Sequence, residues 1–444
     1  RYTQVIAVID DSLDTGFAAT VFEASDGQLT LAIRGTDDLL GSDGDDDLDI
    51  FSNGIASEQI IAMVNWWNRV TAEVGSSVAQ LTVTSYVNGA SSVPGAVSLY
   101  SVPNGNNTVT NYYLEPAANV AATGELYGRT DQALNITGHS LGGHLAMAFG
   151  SLFPSATQDV TVFNAPGFAV NTFSQSLFQA LGGAIPSGQV TTNVIADESA
   201  TGSSPWNAIA GLHSRPGTEF DISIEDQYLS EEPDIPAARN HSQMILTDSL
   251  AVYNLLSQLD ESLSEGGFDA IFQLASNEEY KSLERIVDSL EDLLGINTTA
   301  LAAGNNQREA LYQAIYGIQS SVIFQALIGA TTIVLVNGNP ETIANLATQN
   351  TEAGRGYRYA LVNLLPFAIT SNLMGTAADD PKYDIDNFST AYLADRTQML
   401  QLVLTRNIAD DTTSNSQDEN LDDALWIDQK TNLKLTTGDI TLVG

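Results

Sequence analysis

The 444 residues contain no cysteine, which excludes disulfides and thiolate metal sites. Basic residues are scarce. Sixteen Lys and Arg stand against 54 Asp and Glu, for a net charge of −38. Such a surface repels nucleic acid and bare anionic lipid and keeps the chain in solution. It fits either saline surroundings or bound cations. Only four histidines are present, so imidazole chemistry has few places to sit. Long apolar runs are missing as well. The longest tract, Ile315 to Val336, is broken by Gly317, Gln319, Ser320, Ser321 and Gln325. A membrane-spanning helix needs about 20 mostly apolar residues, so no transmembrane span is expected.

What is there is enough for two or three domains with ample core: the length is generous and 43% of the residues are hydrophobic. The most informative stretch is Asn135 to Ala148, NITGHSLGGHLAMA. A short apolar run meets Gly138-His139-Ser140-Leu141-Gly142, and a helix-forming run follows. This is G-x-S-x-G between a predicted strand and a predicted helix, the context in which the motif carries chemistry. A strand that turns at once into a helix pushes its central side chain outward, and bulk at either glycine would strike neighbouring backbone. Ser140 would then sit at a helix N-terminus, where the N–H groups of its successors face a developing oxyanion. Without that context the five-residue pattern is common in long chains.

GHSLGG, with IRGTDD upstream and VFNAPG downstream, resembles the α/β-hydrolase lipases of the class 3 type. It is similar also to the cysteine-free secreted bacterial lipases that carry calcium-binding nonapeptide repeats. The resemblance covers roughly residues 1 to 258. It implies an α/β-hydrolase fold, a mostly parallel central sheet with flanking helices. It further implies an extracellular serine ester hydrolase that meets lipid esters at a lipid–water interface and needs no cofactor for its chemistry. In this family one oxyanion donor follows the glycine of Arg34-Gly35-Thr36, which implicates the backbone N–H of Thr36 beside that of Leu141. Phospholipase A activity is the nearest alternative, because the same catalytic groups serve both substrates. A non-catalytic lipase-fold module of a large secreted adhesin or toxin is the alternative from another class.

The chain order of such a triad is Ser, then Asp or Glu, then His. His139 lies inside the turn and His144 on the helix behind it. His241 precedes a convincing amphipathic helix, Gln243 to Leu259, where the family places its base; His213 is the rival. For the acid, Asp197 stands at the end of a predicted strand, Gln189 to Ala196. Glu198 is its neighbour and rival, and Asp221 and Asp226 fit less well. The acid fixes the imidazole tautomer and stabilises the imidazolium.

Gly41 to Asp49, GSDGDDDLD, resembles a single nonapeptide repeat with Ser42 in place of the second glycine. One copy cannot build a stacked roll. Asp43, Asp45 and Asp47 offer hard oxygen ligands for one structural calcium; the plain alternative is a solvated acidic loop. Two further acidic runs, Asp379 to Asp386 and Asp410 to Asp423, raise the same pair of readings.

The expected organisation is a catalytic domain over 1–258 and a mainly helical accessory domain of unknown role over 259–444. Residues 79–130, rich in Ser, Asn, Gly, Val and Tyr, interrupt the first domain. They form either a lid or groove wall or a decorative pair of β-hairpins. Ser57 to Val74 is predicted as a helix capped by Ser57, with Trp66 and Trp67 as packing residues. Phe268 to Leu294 and Gln307 to Leu327 are predicted as further helices, and Leu433 to Val443 as a strand pair.

Overall fold

A computed structural model describes residues 2–11, 15–35, 54–105, 107–129, 132–187, 191–197, 212–225, 241–275, 281–296, 300–302 and 308–410. The protein is a mixed α/β molecule with a largely parallel seven-stranded sheet and a mainly helical C-terminal region. It divides into two compact units, Arg1–Ile195 with Asn207–Phe220 and Ala196–Trp206 with Asp221–Gly444. The division falls inside β9 and β10, ahead of the 258/259 boundary expected from sequence. Helix α4 (Gln243–Leu259) therefore belongs to the second unit.

The sheet begins as an antiparallel meander of β1 (Tyr2–Asp11), β2 (Phe17–Ala24) and β3 (Leu29–Ile33). It continues in parallel through β7 (Leu134–His139), β8 (Thr157–Phe163) and β9 (Thr191–Asp197), with β10 (Thr218–Ser223) at the far edge. Four of the five residues of β3 are buried. A central strand covered on both faces reads as a continuous apolar run rather than an alternation.

Helix α1 (Ser57–Thr71) packs Trp66 and Trp67 into the core, and the Trp67 ring meets Phe149 edge-on at 4.9 Å. Ala56, not Ser57, occupies the cap position, and among the described residues no side chain caps the helix there. Helix α2 (Leu141–Leu152) is buried at every position from Leu141 to Phe149. A helix covered all round has no polar face to show, which explains why LGGHLAMAF lacks an amphipathic pattern. Helix α3 (Thr172–Ala180) joins β8 to β9 and is capped by Asn171, whose side chain accepts from Ser174 N–H.

The interruption of the first unit is a three-stranded antiparallel sheet, β4 (Ser77–Val87), β5 (Val97–Asn104) and β6 (Thr108–Ala121), in the order β4-β6-β5. Leu99 and Leu114 on its inner face join the hydrophobic core, with Leu81, Val83, Tyr100 and Tyr112 packed against it. The Tyr100 ring lies 4.0 Å from Phe173 of α3. The sheet is part of the core rather than an ornament on it.

In the second unit, α4 is followed by α5 (Glu265–Ala275), α6 (Ser282–Leu294), α7 (Arg308–Ser320) and α8 (Val322–Leu327). Where sequence suggests one helix over 307–327, Ser321 breaks it and caps α8 by accepting from Phe324 N–H. Helices α9 (Pro340–Ala347), α10 (Glu352–Asn363) and α11 (Thr390–Asp410) complete the unit, with a two-stranded pair, β11 (Ile333–Leu335) and β12 (Phe367–Ile369). Arg358 is almost wholly buried and donates to the carbonyls of Ala347, Gln349 and Tyr383. It satisfies the end of α9, where helix carbonyls lack partners of their own. Among the described residues no helix is long and apolar enough to cross a membrane. The predicted strand pair over 433–443 lies outside the described residues.

Candidate active site

Strand β7 ends at His139, and α2 begins at Leu141. Ser140 is the single residue between them, with φ 57° and ψ −130°. A side chain with a Cβ seldom adopts positive φ, and where it does the surroundings must hold it there. Here the hold is visible. Ser140 N–H donates to Phe163 O of β8 at 2.9 Å, while Ser140 O accepts from Gly143 N–H at 2.9 Å and His144 N–H at 3.2 Å. The residue is tied to the neighbouring strand on one side and starts the helix on the other.

The two motif glycines are required by this turn. A Cβ on Gly138 would stand 2.2 Å from Gly142 O, and one on Gly142 would stand 2.2 Å from Ile33 O. Both blocking atoms are backbone, so neither can move aside cheaply. The end of β3 comes equally close: a Cβ on Gly35 would lie 2.6 Å from His139 O and 3.4 Å from the Ser140 Cβ. The chain leaving β3 therefore passes directly beside the serine. Ser140 itself is buried, with 4% of its surface exposed.

His144 is one turn along α2, fully buried, and stacked on Phe168 with ring centroids 3.9 Å apart. Its Nε2 accepts from Ala56 N–H at 3.3 Å, which leaves the proton on Nδ1 to donate to Gly167 O at 3.1 Å and, more weakly, to Pro166 O at 3.4 Å. Burial pushes its pKa down to about 4, against the opposing pull of the two carbonyls. With both nitrogens used and little affinity for a further proton, His144 does not serve as a base.

The remaining expected residues are distributed as follows. Leu141 is the first residue of α2, buried beside Ser140. His213 is exposed, at φ 60°, in a loop of the first unit fastened by Gly167 N–H to Leu212 O and Phe168 N–H to Ser214 O. His241 is buried and stands two residues before α4, in the second unit. Asp197 is the last residue of β9, also assigned to the second unit. Asp221 lies within β10. Thr36, Glu198 and Asp226 lie outside the described residues, as do Asp43, Asp45 and Asp47. The structure thus brings Ser140, Leu141 and Gly35 together.

Of the other acidic runs, 410–423 lies beyond the described residues except for Asp410. In the 379–386 run three of the four carboxylates are met by protein cations. Arg355 reaches Asp379 at 2.6 Å and Asp384 at 3.0 Å, and Lys382 reaches Asp380 at 3.4 Å. Among the described residues no group of three or more carboxylates and histidines is arranged to hold a metal ion.

Two residues here have partners that the sequence does not show. Asn164, fully buried at φ 48° directly after β8, donates its N–H to Val194 O and fixes the turn that faces α2. His144 meets Ala56, Pro166 and Gly167, none of them near it in sequence. The available signal was a lone imidazole in an otherwise apolar helix, four residues after the serine. Comparison with protein-family models, with curated proteins and with solved structures finds no match to this chain.

Proposed function

We propose that this chain is a secreted bacterial serine ester hydrolase built on an α/β-hydrolase scaffold, cleaving acylglycerol esters through an acyl-enzyme on Ser140. The observation that carries this reading is the backbone of Ser140: a non-glycine residue at positive φ, held between a parallel strand and a helix N-terminus by glycines that admit no side chain. Strain of this kind is retained where a function uses it.

In this reading His241 takes the proton of the Ser140 hydroxyl, and the oxygen attacks the ester carbonyl. The N–H groups of Leu141 and Thr36 receive the oxyanion, aided by the positive end of α2. Asp197 holds the imidazole of His241 in its working tautomer. Collapse expels the alcohol, which takes the proton from His241, and water then releases the acid by the same steps. No cofactor enters the chemistry; calcium, if held at Asp43, Asp45 and Asp47, is a structural ion.

The test is labelling of the wild-type protein with a fluorophosphonate and turnover of a p-nitrophenyl ester, each compared with Ser140→Ala. Label on Ser140 and turnover lost in the variant are expected. Equal residual rates in the two proteins would leave a non-catalytic scaffold. A parallel assay on emulsified triacylglycerol and on phospholipid vesicles separates the lipase reading from that of a phospholipase A.

A further inference from the structure

Helix α2 poses a question about its one polar core residue. Leu145, Ala146, Met147, Ala148 and Phe149 are all buried and apolar. An imidazole among them is costly to bury unless both of its nitrogens are bonded. A leucine would fill similar space without that requirement. The bonds His144 makes therefore indicate what it is there to do.

Its ring partners among the described residues are all backbone groups. Ala56 N–H belongs to the N-terminal cap of α1; the Pro166 and Gly167 carbonyls belong to the loop leaving β8. The two segments also meet directly, through Ala169 N–H and Gly54 O at 3.1 Å. Gly167 N–H in turn donates to Leu212 O, which extends the tie to the segment before β10. Residues i and i+4 share one face of a helix, so the ring stands one turn behind Ser140. The backbone N–H of His144 donates to Ser140 O.

We infer that His144 is a positioning residue for the reaction at Ser140, fixing the start of α1 and the loop leaving β8 to the helix that begins at the nucleophile turn. The inference rests on the reading of Ser140 as nucleophile. The ring acts as a neutral two-sided clamp, donating from Nδ1 and accepting at Nε2, and exchanges no proton with substrate. Its depressed pKa keeps that hydrogen-bond pattern unchanged across the working range of an esterase.

The experiment uses the full chain and the variants His144→Leu and His144→Gln. Active sites are titrated with a fluorophosphonate, and turnover of p-nitrophenyl butyrate is expressed per titrated site, so that loss of folded protein does not count. His144→Leu is expected to lose about ten- to a hundredfold in kcat with KM little changed, the scale on which misplacement of about an ångström acts. His144→Gln, whose amide offers one donor and one acceptor, is expected to recover most of the loss, with the acid limb of its kcat/KM profile in the wild-type position. If His144→Leu does not fold, His144→Asn, too short to reach Ala56, replaces it with the same expectation. Wild-type turnover per site in the Leu or Asn variant, or a displaced acid limb in the Gln variant, would overturn the inference alone. A wild-type protein that takes no label at Ser140 would remove the nucleophile reading and this inference together.

Discussion

Glu284, in helix α6, is 4% exposed, and its Oε2 has no hydrogen-bond partner among the described residues. Burial raises its pKa to about 7 from the ordinary 4.5. The charges of Asp248 and Asp288 add to the effect, and its own backbone N–H and Lys281 oppose it. Asp248 is itself wholly buried in α4, but Arg308 holds it at 2.7 and 2.6 Å and the Tyr312 hydroxyl at 2.8 Å. Glu284, buried without such partners, prefers its proton. Below about pH 4.5 Glu284 is protonated both folded and unfolded and costs nothing. Between pH 4.5 and 7 the unfolded chain releases the proton while the folded chain keeps it, so stability falls as pH rises. Above about pH 7 the deficit is complete. At about 1.4 kcal/mol per pH unit it amounts to about 3 kcal/mol. Glu284→Gln, an isostere of the protonated acid, should match the wild type at pH 4.5 and exceed its stability by up to about 3 kcal/mol at pH 8. Urea unfolding followed by far-ultraviolet circular dichroism across this range measures the difference. An advantage that does not change with pH would refute the reasoning, because it would come from packing rather than from a proton.

His241→Ala is expected to cost several powers of ten in ester turnover and His213→Ala far less, as removal of a triad member does; the reverse ranking, read from kcat/KM of the two purified variants, would reassign the base and put Asp197 in doubt. Millimolar calcium is expected to raise the melting temperature of chelated protein more than sodium chloride of equal ionic strength, with magnesium weaker because it demands stricter geometry. A midpoint unmoved by calcium would leave the 41–49 run as solvated surface.

Much of the scaffold was legible because its signals are local. The turn glycines, the apolar strand before them and the period of Gln243–Leu259 each follow from a few adjacent residues. The turn at Ser140 could be anticipated because only one backbone path fits G-x-S-x-G between a strand and a helix. What escaped depends on residues distant in sequence. Whether residues 79–130 form a lid, a groove wall or a decorative pair of β-hairpins stays open in the sequence until Leu99 and Leu114 are seen to join the core. The role of His144 cannot be seen without Ala56 and Gly167, 88 and 23 residues away. The place of α4 in the second unit is equally invisible in its own amphipathic pattern, which states only that one face is covered.

The three-stranded insertion enters and leaves the first unit at a single point: Gly75 N–H donates to Ala122 O, and Ala122 N–H donates to Ser76 O. This bears on how the chain finds its fold. Strands β3 and β7 must pair across a long stretch of sequence, as the 105-residue separation of the bonded Gln28 and Ala133 shows. Closing at its own base, the insertion short-circuits nearly half of that stretch. Loop-closure entropy grows only logarithmically with length, so carrying the extra segment adds about 0.5 kcal/mol to the search for that pairing. Length between these strands is therefore almost neutral for the closure that pairs them. What the insertion contributes to the scaffold is the packing of Leu99 and Leu114, not a change in the cost of bringing β3 to β7.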